Sequence, residues 1–258
     1  WDLIVMTHDQ FGKIEQSKEI QDEIISQEIE ALENDIRMAK DNDLSKRELT
    51  GLEQRKQNLQ DKLNKLRMMA KDPYLKSFEE MGIDFMFVDE SQQFKNLTYN
   101  TIQRGISGLG SPKGSDKAFN MLFAIRTLQK MWGGDKGTVF ASGTPISNTM
   151  VEMYSLFKYL RPNKMAEMSI NSFDQWANTF ARVGSEIEFG VTNSLKPKVR
   201  MREFMNVPEM SVMYRDIADV RNDKNTPLDK PVPKRSEERF SRNEVKLIIP
   251  KVKGQMVY

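Results

Sequence analysis

Three short apolar runs, each followed by polar residues, stand out along this chain as candidate strands: Leu3–Met6, Phe85–Val88 and Thr138–Ala141. A continuous apolar run of this length, rich in β-branched and aromatic residues, is typical of a strand buried on both faces. The second run ends in two adjacent carboxylates, Asp89 and Glu90, and the third ends in the turn Ser142–Pro145. In an α/β protein, polar residues at strand exits face the ligand crevice. We therefore expect these strand ends to carry the chemistry of the chain.

A charged segment with helical periodicity separates the first two runs. Between about residues 16 and 69, apolar residues recur at helical spacings in two series: Ile25, Ile29, Leu32, Ile36 and Ala39, then Leu49, Leu52, Leu59, Leu63 and Leu66. Lys40–Asp43 interrupts the first series, and Ser45 with Glu48 forms a capping box that opens the second. Two amphipathic helices in succession predict an antiparallel helical hairpin. It is either a self-packed insertion with a solvated charged face, which we favour, or an arm that contacts a partner or DNA.

Helical patterns also flank the third run. Residues 118–132 are apolar at helical spacing and end at Gly133-Gly134. Shorter helices are predicted at 74–81, at 151–160, from Ser172 onwards and at 207–220. Strands that alternate with helices indicate an α/β fold with a parallel sheet. The remaining segments are predicted to be irregular at 98–117 and 180–198, a strand or basic loop at 199–204, a linker at 221–234 and a last strand at 245–249.

Composition narrows the functional classes. The chain has 258 residues, 38% of them hydrophobic and 29% charged, with no cysteine, one histidine and a formal net charge of +2. The lack of cysteine excludes disulfides and thiolate metal sites, and the near-neutral charge gives no global basic field for nucleic acid. No apolar run approaches the ~20 residues of a membrane span, and from the first residues, which are apolar but short with no basic residue ahead of them, we expect no secretory leader. We expect a cytoplasmic protein without a membrane partner. Because the first residue is not Met, we also expect a piece of a longer chain.

The carboxylate pair Asp89-Glu90 has competing interpretations. In α/β nucleotide hydrolases, an acid at the end of a buried strand holds magnesium beside a phosphate. Alternatively, the pair is a helix N-cap followed by a first-turn acid. A metal-dependent nuclease built from Asp84, Asp89 and Glu90 is less favoured, because it needs acids from more than one strand exit. His8 has no acid or nucleophile placed beside it by the sequence, and we expect it to be structural.

Four stretches, considered together, resemble one helicase family. Residues 85–97, FMFVDESQQFKNL, resemble motif II of DEAD/DEAH-box (superfamily 2) helicases in its SNF2-like form, and residues 141–162, ASGTPISNTMVEMYSLFKYLRP, resemble SNF2 motif III. SFDQWANTF (172–180) is similar to the helix that follows in that family, and WDLIVMTHDQF (1–11) to the strand and turn before motif II. The order and separations agree over most of residues 1–221, with the hairpin as an insertion. The resemblance is to the large SNF2-type helicases of phages and conjugative elements, some of them fused to DNA methyltransferases.

The resemblance implies roles for the two strand exits. Asp89 would hold Mg²⁺ through a water, and Glu90 would orient or activate the water that attacks the γ-phosphate of ATP. Gln92 stands where the family has His or Asp, although its amide can still donate and accept hydrogen bonds. The turn Ser142-Gly143-Thr144 would couple the nucleotide site to DNA binding.

The resemblance also implies partners and exposes a missing part. DNA is the implied ligand, with Thr7 and Asn148 as backbone contacts, alongside the remaining helicase domains and a possible fused methyltransferase. The sequence contains no G-x-x-x-x-G-K-[ST] phosphate loop. Its nearest imitation, Gly133–Thr138, has the Lys before the Gly. We therefore expect that this chain alone does not hydrolyse ATP.

These features predict a fragment of an ATP-dependent DNA helicase or translocase. Its predicted parts are the end of a first RecA-like domain (1–15 and 70–221), the inserted hairpin (16–69), a linker (222–244) and the start of a second RecA-like domain (245–258). Residues 235–243 resemble the translation of a sequencing-adapter oligonucleotide and are assigned no function. The alternative is a non-catalytic nucleic-acid or protein interaction module built on the hairpin. A Gly-Lys-Thr/Ser loop encoded upstream of Trp1 would decide for the motor.

Overall fold

A computed structural model describes these residues of the chain: 2–41, 46–69, 76–103, 106–107, 109–110, 112–147, 149–189 and 195–221. The chain divides into two compact units, Trp1–Ile217 and Ala218–Tyr258. The helices and strands of the described residues all belong to the first unit. The predicted linker and last strand lie outside the described residues, as do the adapter-like residues 235–243.

The first unit combines helices with short strands. The helices are α1 His8–Phe11, α2 Lys18–Asp41, α3 Lys46–Met68, α4 Asp116–Trp132, α5 Met150–Leu160, α6 Pro162–Glu167, α7 Phe173–Phe180 and α8 Val207–Arg215. The strands are β1 Met86–Val88, β2 Ile106–Ser107, β3 Thr138–Phe140, β4 Ala181–Phe189 and β5 Leu195–Phe204. Two short 3₁₀ helices, Glu79–Met81 and Ser91–Phe94, complete the described secondary structure. None of the described helices is long and apolar enough to cross a membrane.

Strands β1 and β3 pair in parallel, with Phe87 opposite Val139. The connection between them contains α4, whose buried residues form the main core together with Val88, Phe94 and Phe78. This arrangement confirms the predicted α/β fold with a parallel sheet and is consistent with part of a RecA-like domain. It matters for function because parallel pairing places the carboxyl ends of β1 and β3 side by side.

The strand predicted at Leu3–Met6 is wrong. Residues 2–6 form no strand, and the side chains of Leu3 and Val5 are 77% and 86% exposed. Phe87, on β1, is also 78% exposed. An apolar run becomes a strand only where a neighbour pairs with its backbone, and no described strand pairs with residues 2–6. An apolar run alone is therefore not sufficient to predict a strand.

A second sheet was not predicted from the sequence. Strands β4 and β5 form an antiparallel pair, and β2 adds in parallel to β5. The irregular segment predicted at 180–198 is therefore wrong where β4 lies, and the open choice for 199–204 resolves as a strand. A period-two pattern was present, because Val183, Ser185, Ile187 and Phe189 alternate with charged residues and a glycine. Gly184 and the many charged residues of this segment made the strand pattern hard to recognise in the sequence.

The helical hairpin is confirmed, and its base is part of the domain core. Helices α2 and α3 run antiparallel around Leu32, Ile36, Ala39 and Leu52. Three cross-helix ion pairs fix this direction: Arg67–Asp22, Lys56–Glu33 and Lys40–Glu53. Nearer the base, Ile20, Ile24, Ile25, Ile29 and Leu63 join the same core as α4. The predicted capping box falls on Ser45 and the Glu48 side chain, which lie outside the described parts of the structure.

Most of the other helices begin and end near their predicted bounds. Helix α4 starts two residues early, because the Ser115 hydroxyl accepts a cap hydrogen bond from the Ala118 amide, and it ends at Gly133 in the left-handed conformation. A capping box of Ser172 and Gln175 starts α7. Helix α8 ends at Arg215, earlier than predicted. The predicted helix at 74–81 is only a single 3₁₀ turn within its described part.

Candidate functional site

The candidate site is built at the end of β1. Asp89 and Glu90 are both exposed, and the Asp89 Oδ1 atom accepts a hydrogen bond of 2.9 Å from the Glu90 amide. Glu90 adopts a left-handed conformation, with φ 49° and ψ 44°. For a residue with a side chain this conformation costs about 1–2 kcal/mol, and such strain is concentrated at functional sites. Glu90 precedes the 3₁₀ helix Ser91–Phe94 but makes no side-chain cap hydrogen bond, so the helix-cap interpretation has no contact to support it.

The end of β3 lies directly beside the end of β1. The Ser91 amide donates to the Ala141 carbonyl at 2.9 Å, and the Ala141 amide donates to the Val88 carbonyl at 2.8 Å. These backbone bonds continue the parallel pairing past the last residue of each strand. The carboxylates of one exit and the Ser-Gly-Thr turn of the other are therefore held at the same edge of the sheet.

A side-chain hydrogen-bond chain crosses between the two exits. The Gln92 amide donates to Glu90 Oε2 and accepts from the Ser142 hydroxyl at 2.6 Å. The Thr144 amide in turn donates to Ser142 Oγ at 3.1 Å. A Cβ atom added at Gly143 would meet nothing within 4 Å, so packing does not require a glycine there. The structure thus brings Glu90, Gln92 and Ser142 into one network; their functional roles remain predictions.

A second connection between the same segments was missed in the sequence. The Lys95 ammonium lies 2.6 Å from Ser147 Oγ and 3.1 Å from Glu152 Oε1. The Ser147 amide donates to Glu152 Oε2 at 2.5 Å. The Glu152 side chain is only 6% exposed, although it lies in the first turn of the largely apolar helix α5. An acidic residue among the buried positions of such a helix was the signal that could have identified it.

A small, open cleft is lined by residues of both connections. Its lining includes Gln92, Lys95, Pro145, Glu152, Ser155 and Tyr159. The Ser155 hydroxyl is buried and has no hydrogen-bond partner. Segments 91–95 and 145–156 therefore meet at this cleft through both polar side chains and apolar ones, Phe94 and Leu156 among the latter.

Residues near the chain start have structural contacts at this site. His8 Nε2 donates to the Asp89 carbonyl oxygen at 2.9 Å, and its ring packs edge-on against Phe94. These contacts agree with the structural role expected for His8. The Thr7 hydroxyl accepts from the Gln10 amide at 3.2 Å and caps α1. Its contact with nucleic acid stays a prediction, and Asn148 lies outside the described residues.

The geometry argues against two other interpretations, a metal-dependent nuclease site and a phosphate loop at Gly133–Thr138. The described residues contain no group of three or more His, Cys, Asp or Glu side chains able to hold a metal ion, which leaves the nuclease interpretation without its ligand set. Gly133–Thr138, the nearest imitation of a phosphate loop, follows the C-terminus of α4, with Gly133 as its cap. A helix C-terminus presents carbonyl oxygens, whereas phosphate binds at the N-terminus. This segment is therefore not a phosphate cradle.

Comparison with known proteins decides the family. The model of the family described as "Probable helicase domain" matches residues 1–222. The chain belongs to this helicase-domain family. The "Defense against restriction protein B" of Escherichia phage P1 is 24% identical over 146 residues, which are 56% of this chain and 6% of that protein. The chain thus spans a small part of the length of this curated relative. No solved structure matches this chain.

In this helicase domain the hairpin is anchored to the loop that follows the candidate site. The Arg55 guanidinium of α3 donates to the carbonyls of Tyr99 and Pro112, at 2.7 and 3.1 Å, and to Thr98 Oγ1 at 3.3 Å. Lys158 of α5 forms a largely buried ion pair with Glu28 of α2. The hairpin thereby contacts both the loop after β1 and the helix after β3. These contacts favour an integral insertion over an independent arm.

Buried carboxylates accompany these contacts in the helicase domain. Burial, reinforced by the nearby Asp174 carboxylate, raises the pKa of Asp35 to about 6, and Arg55 opposes this shift. Burial also raises the pKa of Asp174, although this residue accepts hydrogen bonds from the Thr101 hydroxyl and the Ile102 amide. Two carboxyl groups with raised pKa values therefore lie where the hairpin meets the domain.

Proposed function

We propose that this helicase domain is part of an ATP-dependent DNA helicase or translocase of the SNF2-like type. The observation that carries the proposal is the hydrogen-bond chain from Glu90 through Gln92 to Ser142. It joins an acid pair on one parallel strand to a Ser-Gly-Thr-Pro turn on the next, which is the relationship expected between motifs II and III. The family match supports a helicase-related function, and the SNF2-like motifs extend it to ATP hydrolysis.

Asp89 and Glu90 divide the chemistry between them. Mg²⁺ is commonly bound by one or two carboxylates together with phosphate oxygens and waters, and the exposed Asp89 carboxylate at a strand exit fits that requirement. The ion, when bound, supplies positive charge that stabilises the transferring phosphoryl group. Glu90 positions the attacking water and accepts its proton. Gln92 holds the Glu90 carboxylate, so the geometry of the base depends on the neighbouring strand exit.

Coupling to DNA follows from the same network. A shift of the Ser142–Thr144 turn on DNA binding would move Gln92 through its hydrogen bond, and Gln92 would move Glu90. Thr7 and Asn148 are the proposed contacts with the nucleic-acid backbone. The resemblance behind this proposal also implies further helicase domains, and in some members of that family a fused methyltransferase, for which the described residues give no separate argument.

Phosphate release by the product of the complete reading frame tests the proposal. We expect ATP hydrolysis that double-stranded DNA stimulates and that Glu90→Gln lowers at least 100-fold, because general-base catalysis contributes about 10²–10⁴-fold. Glu209→Gln, which removes an exposed acid on α8, is the matched control and should leave the rate unchanged. The 258-residue chain alone should release no phosphate. Robust turnover by that chain, abolished by Glu90→Gln, would contradict the expectation that it needs a phosphate loop from elsewhere.

A further inference from the structure

Lys95 and Glu152 form a second bridge between the two candidate motifs, separate from the Gln92–Ser142 bond. Lys95 follows the 3₁₀ helix at the β1 exit, whereas Glu152 lies in the first turn of α5, beyond the β3 exit. Their charged atoms are 3.1 Å apart. The Ser147 hydroxyl contacts both of them, and the Ser147 amide donates to Glu152. These polar contacts, together with the packing of Ile146 on the core, position the segment that carries Ser147.

The low exposure of the Glu152 side chain makes a positive charge beside its carboxylate stabilising. A carboxylate that is only 6% exposed is stable in its charged form only when it is paired and hydrogen-bonded. The Ser147 amide and hydroxyl supply hydrogen bonds, and Lys95 supplies the compensating charge. Loss of Lys95 would remove a positive charge that stabilises the Glu152 carboxylate and a direct contact with the Ser147 hydroxyl.

The two connections are neighbours, because Gln92, Lys95 and Glu152 all line the same cleft. A single hydrogen bond between Gln92 and Ser142 would allow the turn to pivot about it. Lys95 lies three residues after Gln92, and Glu152 lies ten residues after Ser142. The ion pair between them is a second attachment, and it removes that freedom.

We propose that Lys95, Ser147 and Glu152 form a clamp that positions the Ser142–Thr144 turn against Gln92 and thereby makes ATP hydrolysis responsive to DNA. This inference rests on the proposed function, since it concerns the coupling of the same site. All three are positioning residues, because none of them belongs to the acid pair that acts on the nucleotide. The clamp acts on the turnover rate with DNA bound and leaves nucleotide binding to other groups.

The first experiment needs no enzymatic activity. Amide hydrogen exchange of Ser147, followed by NMR in the 258-residue chain, should accelerate at least tenfold in Lys95→Met and remain near the wild-type rate in Lys95→Arg. Lys113→Met, which removes an exposed lysine of the same long loop, is the matched control and should have no effect. An unchanged Ser147 exchange rate in Lys95→Met would overturn the clamp. If Lys95→Met does not fold, Glu152→Gln replaces it, because this variant removes the charge without leaving a buried ion unpaired.

The second experiment uses the product of the complete reading frame. At saturating DNA, Lys95→Met should lower kcat for ATP at least tenfold, with KM within twofold of wild type, and Lys95→Arg should restore most of the rate. If DNA stimulates ATP hydrolysis by the wild type and Lys95→Met has the same kcat, the clamp is refuted and the proposed function stands. A wild-type protein without DNA-stimulated hydrolysis would refute the proposed function, and the exchange experiment would still decide whether the clamp exists.

Discussion

The Ser142 hydroxyl donates a 2.6 Å hydrogen bond to the Oε1 atom of Gln92 across the ends of two parallel strands. The two residues are fifty positions apart in the chain, and helix α4 lies between them. Because Gln92 also donates to Glu90, both the nitrogen and the oxygen of its amide group form hydrogen bonds. A side chain with only one kind of hydrogen-bonding group could not make both contacts. The amide group of the glutamine is therefore chemically suited to link the two strand exits.

Removal of the Ser142 hydroxyl should uncouple the two exits. We expect Ser142→Ala to lower DNA-stimulated ATP turnover of the complete protein by about fivefold, because one hydrogen bond contributes about 1 kcal/mol and 1.4 kcal/mol corresponds to a factor of ten. Thr149→Ala deletes a hydroxyl from the same connection that makes no cap hydrogen bond, and it should leave the rate unchanged. Equal rates for wild type and Ser142→Ala would remove the coupling role from this hydrogen bond.

Asp35 should make the stability of the chain fall between pH 4 and pH 7. Burial raises its pKa from 3.8 to about 6, so its contribution is fully present below pH 3.8 and is lost as the pH rises through 6. A shift of about two units corresponds to roughly 3 kcal/mol. Urea unfolding should therefore show that Asp35→Asn is the more stable protein at pH 7 but not at pH 4. Asp41→Asn, at an exposed position of the same helix, should show no such change, and parallel pH profiles for wild type and Asp35→Asn would contradict the assignment.

Arg55 should hold the long loop after the candidate site. Arg55→Met removes a donor to Thr98, Tyr99 and Pro112, and we expect it to destabilise the chain by about 2–3 kcal/mol in urea unfolding. Amide exchange between residues 97 and 103 should accelerate in the same variant. Arg37→Met, at an exposed position on α2, serves as the control and should change neither quantity. Loss of stability without faster exchange in the loop would show that Arg55 acts elsewhere.

Local sequence patterns predicted the elements whose stabilising contacts are close in the chain or follow a regular period. Helix α4 was predictable from its apolar spacing and its terminal glycines, and the hairpin from its two apolar stripes. Strands β1 and β3 were predicted from their continuous apolar runs. The burial on both faces that was predicted with them is wrong, because Phe87 and Val139 are 78% and 43% exposed. The same rule failed at Leu3–Met6, because a strand also needs a pairing partner, which no apolar pattern can supply.

Long-range polar contacts were beyond the reach of these patterns. Lys95 and Glu152 are separated by more than fifty residues, and each is an ordinary charged residue in its local context. Their pairing depends on the angle at which α5 leaves the β3 exit, which only the folded backbone determines. Strand β4 was missed for a related reason, since its pairing with β5 outweighs a glycine and a high density of charge.

The role of Glu90 as the base that activates water is the central claim, and single-turnover conversion of bound ATP tests it most directly. The complete protein is mixed with radiolabelled ATP, Mg²⁺ and DNA, quenched over time, and the bound nucleotide is separated into ATP and ADP. We expect wild type to convert its bound ATP to ADP and Glu90→Gln to retain ATP, with equal amounts of nucleotide bound to both. Conversion at the wild-type rate by Glu90→Gln would contradict the account.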